Sequence, residues 1–315
     1  MHTTDLAPWQ HDHGFAAGHG SRGERRTRWV VGITLVMMTG EIVAGLAFGS
    51  MALLADGWHM GTHAAALGVA VFAYRYARKH ATDPRYSFGT GKVGALGGFA
   101  SAVGLAVVAA FVFGESVARL AQPVAIRFDE AIGVAVLGLA VNIACALLLR
   151  DDDHEHGHHP HGYEHEAHAH RDHNLRAAYL HVVADALTSV LAIAALLAGK
   201  TLGFTWMDPV MGIVGSIVIA RWSLGLMRDT SAVLLDAEVA ASRREAIRAV
   251  LEAQDDNRVS DLHVWRVGPR HLAAIVSVVT AEPRGAAHYK ELLGGFEDLV
   301  HVTVEVHACP TPRAA

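Results

Sequence analysis

Charged residues are scarce in this sequence, and cysteine is almost absent. Of its 315 residues, 18% are charged and 52% are hydrophobic, whereas an ordinary globular protein has about 25% charged residues. The two cysteines, Cys145 and Cys309, argue against a disulfide framework, so we expect the soluble parts to be cytosolic. A net charge of −5 provides no strongly basic surface for nucleic acid. This composition indicates a membrane protein.

Six apolar stretches each approach the roughly 20 residues that a helix needs to cross a bilayer. They are Trp29–Phe48, Met51–Tyr74, Val93–Arg119, Glu130–Leu149, Arg176–Ala198 and Trp206–Met227. Open sheets are excluded because lipid cannot satisfy the backbone groups of a sheet edge. We therefore predict a six-helix, all-α transmembrane domain over residues 29–228, in which Gly49–Ser50 forms a tight hairpin between the first two helices.

Lysine and arginine lie unevenly among the connections between these helices. The connection between the second and third helices is the most basic, with Arg75, Arg78, Lys79, Arg85 and Lys92, whereas the first connection has no basic residue. Because basic residues collect on the cytosolic side of a membrane, both termini and the long fourth connection are predicted to be cytosolic. No cleavable signal peptide is expected in residues 1–28, which form a polar, His-containing tail.

From about Asp229 the sequence takes on the pattern of a soluble domain. The predicted elements are a helix at Ser242–Ala253, strands at Val259–Val267 and His271–Thr280, a helix at Ala286–Leu293 and a strand at Val300–His307. The order αββαβ predicts a small cytosolic α+β domain over residues 229–315.

Histidine is unusually abundant, with 22 residues. A low-complexity cytosolic loop at residues 151–174 holds His154, His156, His158, His159, His161, His165, His168, His170 and His173. Such a composition cannot bury a core, so the loop is predicted to be disordered without metal and to gather metal ions weakly. A solvated spacer is the alternative, and the histidines of the N-terminal tail allow the same two interpretations.

Two pairs of metal-ligating residues lie inside predicted membrane helices, where ionisable groups are costly and usually functional. His59 and His63 in the second helix, and His181 and Asp185 in the fifth, have the i, i+4 spacing that puts each pair on one helix face. Two such faces would give a tetrahedral set of three imidazoles and one carboxylate, which suits zinc, cobalt or nickel. The alternative is that each histidine only bonds a backbone carbonyl in the bundle.

Other polar residues in the same helices give weaker signals. Asp56 is interpreted as either an exit ligand or a structural acceptor, and Glu41 and Asn142 as either pathway residues or interhelical partners. Thr188 and Ser189, one turn after Asp185, are either donors that support the ligands or small residues that let helices pack closely.

A zinc protease and a metal sensor or store are two alternative interpretations of a membrane protein with these histidines. A zinc protease needs a glutamate next to the first histidine of a His-Glu-x-x-His helix, but Met60 follows His59 and Val182 follows His181. We therefore do not expect an enzyme. A metal sensor or store could use the soluble domain and the His-rich loop, but it would leave the membrane histidines unexplained.

Four stretches of the sequence resemble the cation diffusion facilitators, and the resemblance covers nearly the whole chain. They are Leu54-Ala-Asp-Gly-Trp-His-Met-Gly-Thr-His63, His181-Val-Val-Ala-Asp-Ala-Leu-Thr-Ser189, Phe88-Gly-Thr-Gly-Lys92 and Met207-Asp-Pro-Val210. In addition, His11–Phe15 and Arg85–Lys92 look like the bacterial cobalt–nickel efflux branch of that family.

This resemblance implies a homodimer in the bacterial inner membrane that exchanges cytosolic divalent metal for protons by alternating access. It also implies a ferredoxin-like soluble domain, and no cofactor apart from the transported Co²⁺, Ni²⁺ or Zn²⁺. The transport site maps onto His59, His63, His181 and Asp185. Relatives commonly have aspartate where this chain has His63, and a nitrogen-rich site favours cobalt, nickel, copper and zinc over manganese or magnesium. A zinc-preferring exporter is the nearest alternative.

The resemblance also bears on two further metal sites found in relatives. His263, His307 and Cys309 fall near positions that bind metal in the soluble domain of relatives, although Ser277 replaces a histidine that some of them have. The histidine site of some relatives between the second and third helices maps onto Tyr86 and Thr90, so that site is not expected in this chain.

Overall fold

The structure is a computed structural model that describes residues 24–80, 83–150, 186–254, 256–269 and 271–309. The larger helices are α1 (Glu24–Phe48), α2 (Met51–Lys79), α3 (Val93–Ala121), α4 (Phe128–Arg150), α5, described over Ala186–Leu202, and α6 (Met207–Leu234). They are followed by α7 (Ala241–Glu252), β1 (Arg258–Arg266), β2 (Leu272–Thr280), α8 (Ala286–Leu292) and β3 (Leu299–Ala308). Among the described residues, one compact unit contains the chain up to Gly68 and Ala100–Leu226, and a second contains Val69–Phe99 and the chain from Met227 onward.

The first two helices form the tight hairpin that the sequence predicts. Helix α1 ends at Phe48 and α2 begins at Met51, with Gly49 at a φ of 75° that only glycine adopts easily. The helices touch at Gly45, where an added Cβ would lie 2.8 Å from the backbone nitrogen of Leu54. Small residues therefore let the two backbones approach closely, as is usual where membrane helices pack.

The core of the helical unit consists of small clusters rather than one large one. One cluster joins α1, α2, α4 and α5 through Ala44, Leu53, Ala131, Ala135 and Leu196. A second joins α2 to α3 and contains Met51, Leu54, Ala55 and Val112. A third joins α3 to α6 through Leu105, Ala109 and Ile219, with Trp58 of α2 against it.

Large apolar side chains cover the outside of this unit. Val36, Val107 and Phe111 are all more than 60% exposed, which in a soluble protein would be an unusual amount of apolar surface. Within the described residues, two helices, α3 and α6, are long and apolar enough to cross a membrane, and Gly32–Phe48 and Ala186–Leu202 are shorter apolar helices. A count of six membrane helices stays a prediction.

Several helices extend beyond the predicted apolar spans. Helix α2 continues to Lys79 instead of Tyr74, and α6 continues to Leu234 instead of Met227. The added turns contain Arg75 and Arg228, whose long side chains can keep the charge in water while their stems cover apolar surface. An estimate from apolar residues alone therefore ends these helices too early.

The second unit contains a three-stranded sheet in the order β1-β2-β3. Strands β1 and β2 are antiparallel, and β2 and β3 are parallel. One sheet face packs on α7 and α8, with Ile247, Leu251, Val264, Val276 and Tyr289 in the core. The element order αββαβ agrees with the sequence prediction, because the short apolar runs of the strands and the turn residues between β1 and β2 are local signals.

The connection between α2 and α3 contacts the other face of this sheet. Phe88 lies edge-on to Trp265 of β1 and to His301 of β3, with ring centroids 6.1 and 5.3 Å apart. At Gly91, an added Cβ would lie 2.2 Å from the carbonyl oxygen of Val267, so this close approach requires glycine. Lys92 forms an ion pair with Asp236, just after the end of α6.

Candidate metal centre

The first predicted ligand, His59, is a buried residue of α2. Its side chain is only 4% exposed, and its ring lies 4.6 Å, between centroids, from the indole of Trp222 on α6. An imidazole packed on an aromatic ring has a restricted orientation, which is useful for a ligand that must hold a fixed geometry.

Asp56, one turn before His59, links α2 to α5. Its carboxylate is 5% exposed and accepts a hydrogen bond of 2.7 Å from the hydroxyl of Ser189, and a longer contact of 3.4 Å from that of Thr188. Of the two interpretations of Asp56, the structure shows the acceptor. Thr188 and Ser189 therefore support a carboxylate of α2.

The contacts between α2 and α5 show that the two helices run in opposite directions. Leu53, near the start of α2, shares a core cluster with Leu196, whereas Asp56 contacts Ser189, seven residues earlier in α5. A cavity of about 30 Å³ lies at this junction and is lined by residues that include Asp56, His59 and Thr188. That volume has room for about one water molecule or ion.

The other three predicted ligands can be placed only in part. His63 belongs to α2, one turn after His59. His181 and Asp185 lie outside the described residues, as do all nine predicted ligands of the His-rich loop. The complete four-ligand transport site therefore stays a prediction.

The predicted residues of the soluble domain do not meet within one chain. His263 pairs through Ile275 with Thr303, four residues before His307. At strand spacings of about 4.8 Å and rises of about 3.3 Å, His263 and His307 lie roughly 16 Å apart. Cys309 is exposed just after β3, and among the described residues no group of three His, Cys, Asp or Glu side chains is close enough to hold a metal ion.

His263 has acidic neighbours that sequence analysis did not identify. Its Nε2 lies 3.1 Å from Oδ2 of Asp261, and its Nδ1 lies 3.8 Å from Oε1 of Glu238. Asp261 could have been found from the sequence, because residues i and i+2 of a strand share a face. Glu238 follows α6 and gave no such signal.

The connection between α2 and α3 uses its polar residues for its own structure. The hydroxyl of Tyr86 lies 2.7 Å from that of Tyr76, and the hydroxyl of Thr90 donates to the carbonyl of Ala77 at 3.2 Å. Arg85 donates hydrogen bonds to Asp83, and these bonds lower the pKa of the Asp83 carboxyl to about 2. Tyr86 and Thr90, onto which the family resemblance maps a second histidine site, are thus engaged in local contacts.

Asp208 is a buried carboxylate whose role sequence analysis missed. From the first turn of α6 it accepts hydrogen bonds from the Ser50 hydroxyl at 2.6 Å and from the backbone nitrogens of Met51 and Ala52 at 2.7 and 3.2 Å. It therefore caps the N-terminus of α2 from another helix. In the sequence, Asp208 was part of the Met207-Asp-Pro-Val210 motif and an acidic residue inside an apolar region, but neither signal identified its partners.

Comparison with known proteins agrees with the motifs. Residues 29–235 match the family described as the cation efflux transmembrane domain. Zinc transporter ZitB of Pectobacterium atrosepticum is 33% identical over 279 residues, which cover 87% of this chain and 82% of that protein. The cadmium, cobalt and zinc/H(+)-K(+) antiporter of Bacillus velezensis is 25% identical over 94% of this chain and 91% of its own length.

A third relative is the metal cation efflux system protein CzcD of Cupriavidus metallidurans, which is 26% identical over 96% of this chain and 92% of its own length. The family resemblance predicted from the sequence motifs is confirmed. The chain belongs to the cation efflux family, the cation diffusion facilitators, and is a membrane protein that exports divalent metal cations.

Proposed function

We propose that this protein exports Co²⁺ and Ni²⁺, and also Zn²⁺, from the cytosol in exchange for protons, through a site formed by His59, His63, His181 and Asp185. The observation that carries this proposal is the hydrogen bond between Ser189 and Asp56, which fixes the relative height of α2 and α5. If α5 is helical over the whole predicted span, the predicted ligands of both helices lie on the same side of that bond, because α2 and α5 are antiparallel.

The heights of the two ligand pairs support one shared site. At a rise of about 1.5 Å per residue, His59 lies about 4.5 Å and His63 about 10.5 Å from Asp56 along α2. If α5 is helical over the whole predicted span, Asp185 lies about 6 Å and His181 about 12 Å from Ser189 in the same direction. Each ligand of α2 is thus level with one of α5 to within about 1.5 Å.

Exchange with protons follows from the chemistry of such ligands. Imidazole and carboxylate bind metal only after they lose their protons, so metal and protons compete for the site. Histidine changes charge near physiological pH, which makes this competition effective in a cell. Alternation between a state open to the cytosol and a state open to the other side would then couple metal export to proton entry.

Flux measurements on purified protein in lipid vesicles test this proposal. Wild-type protein should move Co²⁺ and Ni²⁺ faster under an imposed pH gradient than without one, and Asp185→Ala should lower metal flux at least tenfold. The matched control is Asp129→Ala, which removes an exposed carboxylate from the first turn of α4. Transport by Asp185→Ala at the wild-type rate would contradict the assignment of the site.

A zinc-preferring exporter is the second candidate, and the names of the relatives favour it. One is called a zinc transporter, and another names zinc together with cadmium and cobalt. His63→Asp separates the two candidates, because it replaces a nitrogen ligand by a carboxylate. A shift from cobalt and nickel toward zinc in this variant would support the nitrogen-rich site. Zinc dominance in wild type with no change in the variant would favour the zinc exporter.

Two further parts of the proposal concern assembly and topology. We propose a homodimer with both termini in the cytosol, as the resemblance and the distribution of basic residues suggest. Crosslinking in membranes tests the dimer. Labelling of single cysteines placed in the N-terminal tail and after β3, from each side of the membrane, tests the topology.

A further inference from the structure

A buried carboxyl group in α1 has no role in the site described above. Glu41 is 0% exposed, and neither Oε1 nor Oε2 has a hydrogen-bond partner among the described residues. An ionised carboxylate without donors is strongly disfavoured inside a protein or a membrane, whereas a protonated carboxyl is neutral. The surroundings therefore select the protonated form.

Two glycines, one on each flanking helix, make room for this side chain. An added Cβ at Gly138 of α4 would lie 1.8 Å from Oε1 of Glu41, so the carboxyl group rests directly on the α4 backbone. At Gly57 of α2, an added Cβ would lie 3.0 Å from the Cβ of Glu41. An apolar side chain could fill the same space, so packing alone does not explain a carboxyl group there.

Among the described residues of α2 and α4, no cationic side chain forms a hydrogen bond with Glu41. The titratable residue of α2 next to Gly57 is Asp56, whose hydrogen bonds come from Ser189 and Thr188. One turn further along α2, His59 packs on Trp222. On α4, the described acidic residues Asp129 and Glu130 are in the exposed first turn and form ion pairs with Lys200 and Arg127.

We propose that Glu41 is a proton-binding site, separate from the metal ligands, that takes up and releases a proton during the transport cycle. The state seen here holds the proton, because it offers the carboxylate no donor among the described residues. A state that admits water to the contact between α1 and α4 lets Glu41 ionise. A proton affinity that differs between two states is what coupling to a conformational change requires. The role in transport rests on the proposed proton exchange.

The Glu41→Gln variant tests this role, because glutamine has the shape of the protonated acid but cannot release a proton. In vesicles, with Co²⁺ as the probe and an internal pH dye, the variant should keep metal flux down a metal gradient within about twofold of wild type. The acceleration of Co²⁺ flux by a pH gradient should be smaller than in wild type. The number of protons exchanged per metal ion should also be lower. Glu130→Gln, in the exposed first turn of α4, is the matched control and should leave both unchanged.

A spectroscopic measurement tests the proton itself without any transport. Among the residues whose side chains the structure describes, Glu41 is the only fully buried glutamate. Wild-type protein near neutral pH should therefore show an infrared C=O band of a protonated carboxyl that shifts when glutamate is labelled with ¹³C. Glu41→Gln should remove this band. If that variant does not fold, the isotope shift in labelled wild-type protein is the test.

The two measurements separate the possible failures. Absence of the band in labelled wild type, or an unchanged proton count in a folded Glu41→Gln protein, overturns the proton site. Wild-type flux that ignores the pH gradient, with the band present, overturns proton exchange and the transport role of Glu41 but leaves a buried protonated carboxyl.

Discussion

The hydroxyl of Ser189 on α5 donates a hydrogen bond of 2.7 Å to Oδ2 of Asp56 on α2. Both side chains are buried, and the bond lies one turn away from the first predicted metal ligand, His59. It connects the two helices that carry the four predicted ligands. Its loss should therefore change both the stability of the protein and the geometry of the predicted metal site.

Ser189→Ala is expected to lower the free energy of unfolding by about 0.5–2 kcal/mol, because interhelical hydrogen bonds in membrane proteins contribute amounts of this order. Thr188→Ala should cost less, since its contact with Asp56 is longer. Thermal unfolding of purified protein in detergent measures both. The control is Thr201→Ala, whose exposed hydroxyl bonds only a carbonyl of its own helix. Equal effects at Ser189 and Thr201 would contradict a linking role.

Asp208→Ala should destabilise the protein more than Ser189→Ala does. The variant leaves the Met51 and Ala52 nitrogens at the start of α2 without their shared acceptor, and hydrogen bonds to charged groups contribute about 1.5–3 kcal/mol each. Unfolding in denaturant measures the loss. Asp129→Asn is the control, because an exposed ion pair contributes about 1 kcal/mol or less. Similar losses in the two variants would rule out the proposed cap.

Gly45→Ala should disturb the hairpin of α1 and α2. Its Cβ would lie 2.8 Å from the Leu54 backbone nitrogen, and forcing a methyl group against backbone costs about 1–3 kcal/mol. Gly40→Ala is the matched control on the same helix, because nothing lies within 4 Å of its Cβ. It should be neutral or stabilising by up to about 1 kcal/mol through helix propensity. Melting temperatures of the two variants should therefore move apart, and a shared shift would contradict the close approach.

Asp256 should make the soluble domain sensitive to acid. Its carboxylate accepts hydrogen bonds from the Thr280 hydroxyl at 2.5 Å and the Ala281 nitrogen at 2.8 Å. These bonds lower the pKa of Asp256, and the bond from Thr280 has the larger effect. Because the folded pKa lies below the unfolded value of about 3.9, the stabilisation is complete above that value and is lost as the pH falls through the lower, folded pKa.

Asp256→Asn should therefore lower the stability of this domain at neutral pH and reduce the further loss on acidification. Hydrogen exchange of the β2 amides as a function of pH follows both effects. Glu245→Gln, at an exposed position of α7, should leave the pH profile of wild type unchanged. A profile for Asp256→Asn that matches wild type would show that these two hydrogen bonds contribute nothing.

Deletion of residues 154–173 should raise the metal concentration needed for half-maximal transport several-fold and change the maximal rate less. The reason is that the histidines of the loop would gather metal near the entrance without forming part of the transport site. Concentration-dependent Co²⁺ flux in vesicles measures both quantities. A Gly/Ser loop of equal length is the control for the spacer, and wild-type kinetics in that control would show that the loop only connects two helices.

The family and much of the fold could be predicted from the sequence because their signals are local. The hairpin at Gly49–Ser50 follows from a glycine between two apolar runs, and the order αββαβ follows from short apolar segments separated by turn residues. The i, i+4 spacing of His59 and His63 likewise puts both on one face of α2 by helix geometry alone. These features depend on neighbouring residues, so no knowledge of packing was needed.

Other features depended on which helices meet and could not be predicted from the sequence. Thr188 and Ser189 lie close to Asp185 in the chain, but they donate to Asp56 on another helix, and Asp208 caps a helix that starts more than 150 residues earlier. The strand register likewise separates His263 from His307, although both are histidines of the same sheet.

Sequence by itself thus determined which residue types lie in the membrane, the spacing of the candidate ligands and the family. Only the tertiary structure decided the acceptor of Ser189, the cap of α2 and the burial of Glu41. The physical reason is that periodicity fixes the face of one helix, whereas the partner of a buried polar group depends on contacts between residues far apart in the chain.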